Sequence, residues 1–597
     1  MPTCGVDPCG GLLNSAPHPS TRPVAVLILL ALAPLWVAGI FGRGLWTPDE
    51  PREADIAWRM SRQSDRTLPQ LAGKPFLEKP PLSYWMSAVA ISVFGDSAAA
   101  ERAPNLLYAA ITAVTVGVLA LAMDTGAVAA LIAALIAASA LTAFRVSVWL
   151  APDACLLAGN ALALLGAWRG IRAPPGPGKA AGYTLMHFGA AVGFMAKSAP
   201  GWLVPAMALL TLIVWERRWS ELWRWELYAG LLLQGLIIGP WVLAVSRTEH
   251  GADALRALFW NNVVGRFTRI DSPAALDYTR GHRNAPGKYL FELPLYLLPW
   301  TLVVAAALVR AWRRVRGADA ASTAWRFALG ASLPFLVLLS LAATARDIYA
   351  APAILGLAAL AGLWSGEVEG APTSLDRLAV TGTRVLVAAL AGVLLAALAL
   401  LIVSGTGPPL GCLAAALAAG IPAIAALLLA TRSEQRGDLQ RSLLWSYTAY
   451  AAAVCFSALA LLPVLDRSQD LPGLAQRIHA DCARAPLALL DPDETTIAML
   501  DRGLLTRFTI LTTDRQLPRA AVSRWFGDQG REARVLILLP GHDRGTLTRY
   551  LEPFHAPPPQ SDGIAGSLTA SGAAALVRRY ELPLGRRYAL LGPPPPS

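Results

Sequence analysis

Long apolar runs separated by short polar connections set the pattern of this chain. Stretches able to form spanning helices, at roughly 17 to 25 residues each, begin near Val24, Ala103, Ala127, Ala154, Tyr183, Gly201, Tyr228, Tyr289, Phe327, Ile348, Val385, Gly411 and Trp445. An all-α polytopic membrane protein with about thirteen transmembrane helices is predicted. Helices satisfy their own backbone hydrogen bonds in lipid, whereas a barrel would show strict alternation. The first run, from about Pro23 to Gly42, lacks a small-residue cleavage site and reads as a retained helix. From about Leu465 the pattern changes, and APLALLD, ARVLILLPG, AALVRRYEL and RRYALLG read as strands among helical and turn segments. The expected organisation is a cytoplasmic tail over 1–22, a transmembrane unit over 23–464 and a small α/β domain over 465–597 that ends in a proline tail.

Composition supports a lipid-embedded chain, since 55% of the 597 residues are hydrophobic and only 15% charged. The net charge of +11 does not signal nucleic acid, because the arginines fall in short loops between apolar runs. With the N-terminus inside, the cytoplasmic loops carry Arg169 and Arg172, then Arg217, Arg218 and Arg224, then Arg310, Arg313, Arg314 and Arg316, then Arg432, Arg436 and Arg441. That orientation puts two long loops, 43–101 and 247–288, and the C-terminal domain outside, which in a bacterial inner membrane means the periplasm. The apolar stretch Pro81–Phe94 is too short to span and reads as an interfacial helix. The scattered cysteines imply neither a disulfide framework nor a metal cluster.

Candidate chemistry gathers on that outer side. Asp49 and Glu50 follow the first helix in LWTPDEPREADIAWRM, where a partly desolvated carboxylate can take a proton from a hydroxyl; a simple helix start is the alternative. Glu78 and Lys79 precede two prolines, and a lysine so presented can grip a phosphate oxygen or form only an exposed ion pair. Of the 51 basic residues just five are lysines, so Lys79 and Lys197 stand out in an arginine-rich chain. Asp153 and Lys197 sit at outer ends of apolar runs, as do Arg346 and Tyr349, while the second long loop supplies Arg266, His282 and Arg283. No GxxxxGK[ST] loop and no HExxH helix occurs, so nothing points to nucleotide-driven or zinc-helix chemistry.

The segments TPDEPREADIAWRM, FLEKPPLSYW, APDACL, FMAKSAPGWLVP and RDIYAAP resemble the GT-C glycosyltransferases. Within that superfamily the chain is most similar to bacterial aminoarabinose transferases of lipid A and their protein-mannosyltransferase relatives, over about Leu45 to Pro352. The resemblance implies inverting transfer of a sugar from a polyprenyl (undecaprenyl) phosphate to lipid A, another glycan or a protein. It implies a catalytic Asp49, a second acid at Asp153, and Lys79, Lys197 and Arg346 on the lipid phosphate with Tyr349 beside them. Glu78, a substrate-binding candidate, also matches a residue that can contact a divalent metal in those enzymes, but Asn261, Asn262 and Val263 stand where they offer a histidine for it. His282 fits a histidine that contacts acceptor or donor, and Arg266 is a further substrate-binding candidate. Two other readings are a flippase of lipid-linked sugars, which should show repeated halves and mid-membrane charges, and a non-catalytic membrane protein whose C-terminal domain binds a partner.

Overall fold

The computed structural model describes residues 21–76, 78–261, 285–317, 319–342, 346–403, 405, 407–482, 484–512, 518–539, 563–583 and 585–595. Its first part runs α1 (Thr21–Ile40), α2 (Glu50–Arg62), a short hairpin of β1 (Gln70–Leu71) and β2 (Lys74–Pro75), α3 (Leu82–Phe94), α4 (Ala98–Arg102), α5 (Pro104–Ala122), α6 (Ala127–Ser139), α7 (Leu141–Val148), α8 (Asp153–Arg172), α9 (Pro177–Lys197) and α10 (Pro200–Trp215). Further helices follow to Ala460.

All thirteen apolar stretches are helical, yet the expected number of spans is not reached. Among the described residues nine helical stretches are long and apolar enough to cross a membrane, or ten if α6 and α7, bent by 65°, form one. The shortfall has local causes. At 16 residues, α10 is only about 24 Å long at 1.5 Å per residue, under the roughly 30 Å of a hydrocarbon core. Lys179 and His187 make α9 too polar, and the stretch from Lys288 breaks between Tyr296 and Thr301. The predicted interfacial helix is α3, and Asp49 immediately precedes the first turn of α2.

The bundle has two chemically different ends. Asp153 opens α8 and Arg172 closes it; α9 returns from Pro177 to Lys197. At the far end from Asp153, Lys179 pairs with Glu221 at 3.0 Å, and Arg310 pairs with Asp376 at 2.5 Å. The α8–α9 hairpin is tight because both helices present small residues to each other. A Cβ on Gly166 would fall 2.2 Å from the Met186 backbone nitrogen, and one on Gly189 would fall 2.4 Å from that of Ala163. This close approach brings the two ends of the hairpin, Asp153 and Lys197, together.

The C-terminal part forms a five-stranded mixed sheet in the order β4-β3-β5-β7-β6, with β3 (Leu487–Leu490), β4 (Thr509–Leu511), β5 (Arg534–Leu538), β6 (Ala575–Glu581) and β7 (Arg587–Gly592). β3 pairs in parallel with β4 and β5; β7 is antiparallel to β5 and β6. The four strands expected from sequence are present, and β4 is an addition. This sheet shares an apolar core with the first long loop, in which Ile56, Met60, Phe76 and Tyr84 pack with Leu474, Ile497, Leu500, Leu536 and Tyr588. The domain is therefore part of the wall around α2.

Gly166→Leu is expected to pry α8 from α9 at a cost of at least about 1–3 kcal/mol. A clear fall in the unfolding temperature of the detergent-purified protein would show this, and an unchanged temperature would contradict the close-packed hairpin.

Candidate active site

Glu50 fixes the loop that carries the site. Its carboxylate is fully buried and accepts six hydrogen bonds: two from Arg43 (2.6 and 3.0 Å), two from Arg102 (2.7 and 2.8 Å), and one each from the amides of Trp46 (2.8 Å) and Leu150 (2.9 Å). The loop after α1, the end of α4 and the loop before α8 are thereby tied to one side chain. Burial opposes ionisation of Glu50, but Arg102 and Arg43 outweigh it and hold the carboxyl below its ordinary range. With every lone pair occupied and none directed at Asp49, Glu50 has no capacity to take a substrate proton. The sequence expectation gave Glu50 a catalytic role; the structure places its carboxylate among these six donors, where it anchors the loop.

The rest of the loop is clamped from the C-terminal side. Asp466 accepts from the Gly44 amide (2.8 Å) and the Trp46 indole (2.7 Å), Gln469 accepts from the Thr47 amide (3.0 Å), and the Thr495 hydroxyl donates to the Pro48 carbonyl (3.1 Å). Asp49 is thus presented by a backbone held at Gly44, Trp46, Thr47 and Pro48.

Around it the sequence candidates join into one chain of contacts. Arg346 grips Asp49 with both guanidinium ends at 2.5 and 2.6 Å. Three residues on, Tyr349 lies under the Lys197 ammonium, 4.1 Å from its ring centre, and Lys197 pairs with Asp153 at 2.5 Å. On the other side of Asp49, Arg52 approaches at 3.3 Å and also pairs with Glu53 at 2.6 Å, whose carboxylate takes Lys79 at 2.7 Å. Arg52 further pairs with Glu494 from the C-terminal domain. One cluster therefore holds Asp49, Asp153, Lys79, Lys197, Arg346 and Tyr349, drawn from five separate segments.

Its electrostatics follow from that pairing. Burial pushes the Asp49 carboxyl up, but the Arg346 hydrogen bonds, helped by Arg52 and Lys79, bring it well below the usual carboxylate range. Glu53 is lowered despite burial by Lys79 and Arg52. Glu494 goes the other way: burial dominates, Arg52 pulls back only in part, and the nearby Glu78 charge raises it further. Glu78 is thus close to Arg52 and Glu494. Among the described residues no three His, Cys, Asp or Glu side chains gather to hold a metal ion. Arg266, His282 and the asparagine-containing segment after Asn261 lie outside the described residues.

Sequence reasoning missed Arg52, Glu53 and Glu494. The spacing of Asp49, Arg52 and Glu53 on a helix start could have flagged the first two, because residues three and four apart share a face. Nothing in the sequence links Glu494 to residue 52. A further missed pair is Asp55 and Asp501. Asp55 is buried on α2, accepts from the Ala72 amide at 3.0 Å and faces Asp501, with Arg59 paired to both. Burial, then the Asp501 charge, push the Asp55 carboxyl well above its ordinary value.

The structure resembles ArnT from Cupriavidus metallidurans bound to undecaprenyl phosphate, with a TM-score of 0.67 at 17% identity over 96% of this chain and 98% of that one. A weaker likeness, TM-score 0.50 at 11% identity, extends to the Archaeoglobus fulgidus oligosaccharyltransferase over 86% of this chain and 69% of the other. In sequence, the chain is 30% identical over 343 residues to the undecaprenyl phosphate-alpha-4-amino-4-deoxy-L-arabinose arabinosyl transferase of Pseudomonas aeruginosa (strain LESB58), and 31% identical over 340 residues to that of Edwardsiella ictaluri (strain 93-146). These matches cover 58% and 56% of this chain, and span 60% and 58% of those relatives' own lengths. The profile of the dolichyl-phosphate-mannose-protein mannosyltransferase family matches residues 78–243.

Glu50→Ala leaves Arg43 and Arg102 buried without their carboxylate and is expected to cost about 3–5 kcal/mol, read as loss of monodisperse folded protein on extraction. Asp55 gives a pH-dependent case. An acid raised in the folded state holds its proton longer folded than unfolded, so its contribution is full below the ordinary carboxylate pKa of about 4 and is lost as pH rises through that value toward the raised one. Asp55→Asn keeps an acceptor for the Ala72 amide and removes the charge. Its unfolding temperature relative to the parent should therefore rise from pH 4 to pH 7, and a pH-independent difference would reject the assignment.

Proposed function

We propose that this protein is an inverting glycosyltransferase that moves a sugar from an undecaprenyl-phosphate donor to an acceptor at the periplasmic face of a bacterial inner membrane. The observation that carries the reading is the single cluster in which Asp49 lies between Arg346 and Arg52, with Lys79, Lys197 and Tyr349 around it. The relatives named for undecaprenyl phosphate-linked aminoarabinose transfer support the donor class. Lipid A is the favoured acceptor, with another glycan or a protein as the alternatives. Periplasmic orientation is supported by Arg169, Arg172 and Arg310 at the opposite end of the bundle from Asp153.

In this reading the acceptor hydroxyl attacks the anomeric carbon from the face opposite the phosphate. Asp49 takes the hydroxyl proton, the new glycosidic C–O bond forms, and the C–O bond to phosphate breaks with its electron pair leaving on the lipid phosphate. Lys79, Lys197 and Arg346 stabilise that departing charge. Each of these cations is paired with an acid here: Lys79 with Glu53, Lys197 with Asp153, Arg346 with Asp49. A phosphate entering the cluster competes for them. Once Arg346 turns toward phosphate, Asp49 loses the partner that suppresses its basicity, so donor binding itself readies the base. The charges of this cluster stand at the Asp153 end of the bundle, unlike the midplane arrangement of a lipid-sugar flippase.

Asp49→Asn is expected to lower transfer of labelled sugar from polyprenyl phosphate by at least about 10²–10⁴-fold while the protein remains folded and binds undecaprenyl phosphate; retained transfer would remove Asp49 from this role. The pH dependence is equally specific. Since Asp49 is depressed in the free protein, it stays ionised down through the ordinary carboxylate range, so kcat/KM should show no Asp49-dependent fall between pH 7 and pH 5.

A further inference from the structure

Beside the charged cluster a crevice of about 320 Å³ opens between the β1–β2 hairpin and the C-terminal domain. Its apolar walls are Phe76 from the loop and Ile497, Phe508 and Ile510 from the domain; Glu78 and Glu494 line it as acids, and Lys74 stands at the exposed mouth. We propose that this crevice binds the saccharide part of the acceptor, and that Glu494 couples its occupancy to Asp49 through Arg52. The proposal rests on the transferase reading and names where that reaction's acceptor docks.

Position argues first. Arg52 pairs with Glu494 on the crevice side and with Asp49, at 3.3 Å, on the other. A group held in the crevice is therefore one guanidinium away from the proposed base. The lining argues second. Ligand sites are mostly apolar with a few convergent polar groups, and here phenyl rings face carboxylates across a small volume. Apolar C–H faces of a sugar ring can lie on Phe76 and Phe508, while its hydroxyls or an amine donate to the acids.

The unsatisfied atom argues third. Glu494 Oε1 is shielded from solvent and accepts no hydrogen bond, an arrangement that costs free energy unless a donor arrives. A carboxylate oxygen accepts, so a ligand that donates, such as a sugar hydroxyl or amine, complements it. A phosphate, rich in acceptor oxygens and negatively charged, fits this crevice poorly and fits the Lys197–Arg346 side well. The two halves of the reaction thus meet at Asp49 from opposite directions, lipid phosphate from the cations and saccharide from the acids.

The test uses the full-length protein in nanodiscs and ligand-observed saturation-transfer NMR with a glucosamine disaccharide, in the absence of any donor. Ring-proton saturation is expected for the parent, with binding at least tenfold weaker in Ile497→Trp, which fills the crevice, and in Phe508→Ser, which removes a partly exposed wall. Retained undecaprenyl-phosphate binding by native mass spectrometry identifies a variant that has stayed folded. Glu494→Gln keeps the shape, and should both weaken saccharide binding several-fold and shift the pH profile of transfer, which a merely structural glutamate would not do. No saturation in the parent, or equal binding in Ile497→Trp and Phe508→Ser, overturns the proposal. Saccharide binding in a protein that never transfers sugar would keep the subsite and defeat the transferase reading, so the two failures are distinguishable.

Discussion

Glu50 sits at 0% exposure between two arginines that are themselves buried, Arg43 at 4% and Arg102 at 0% of side-chain surface. Removing three charges from water is expensive, and only saturation of every lone pair makes it tolerable. That saturation ties the end of α1, the start of α2, the approach to α5 and the turn after α7 to one point. The neighbouring residue, Asp49, inherits a fixed direction, because its backbone has no freedom left once Glu50 and the clamp from Asp466, Gln469 and Thr495 are in place. A carboxylate meant to meet a transient substrate geometry benefits from such support, since positioning within fractions of an ångström governs proton transfer.

A second constraint is charge balance. The cluster holds Asp49, Glu53, Asp153 and Glu494 against Lys79, Lys197, Arg52 and Arg346, so no large uncompensated charge is buried before substrate arrives. A preformed set of bare cations would bind phosphate more tightly but would strain the apo fold. Pairing each cation with an acid lowers that strain, and in the proposed transferase reading it makes phosphate binding an exchange of partners. In that reading the carboxylate released by the exchange, Asp49, is the one proposed to take the acceptor proton.

The membrane part was readable because lipid imposes a simple rule: apolar runs of sufficient length become helices, and all thirteen did. The count of about thirteen spans is not confirmed, and it departs from the nine or ten long apolar helices among the described residues where the rule is least strict, as in α10, which is short, and α9, whose Lys179 and His187 are satisfied by Glu221 and Gln234. Asp49, Asp153, Lys79, Lys197 and Arg346 were legible because an ionisable residue beside a membrane helix demands a reason. The anchoring contacts of Glu50 were not legible, because burial with two arginines, one 52 residues away in sequence, leaves no local trace. Arg52 and Glu494 escaped notice because their pairing spans 442 residues, and only the folded chain brings them together.

The C-terminal domain sharpens this point. Its strands could be read from their short apolar runs, but its purpose could not, since the residues that matter are Asp466, Gln469, Glu494 and Thr495 and none belongs to a recognisable motif. They act by touching residues 44–52, and the shared core of Ile56, Phe76 and Tyr84 with Leu474, Ile497 and Tyr588 keeps them in register with α2. A domain attached only by its linker could drift relative to the bundle and would leave Arg52 with two fewer negative oxygens and Asp49 with a stronger hold on it. Because it is packed on the loop instead, the balance of charge at Asp49 depends on a part of the chain that carries none of the residues predicted to do the chemistry.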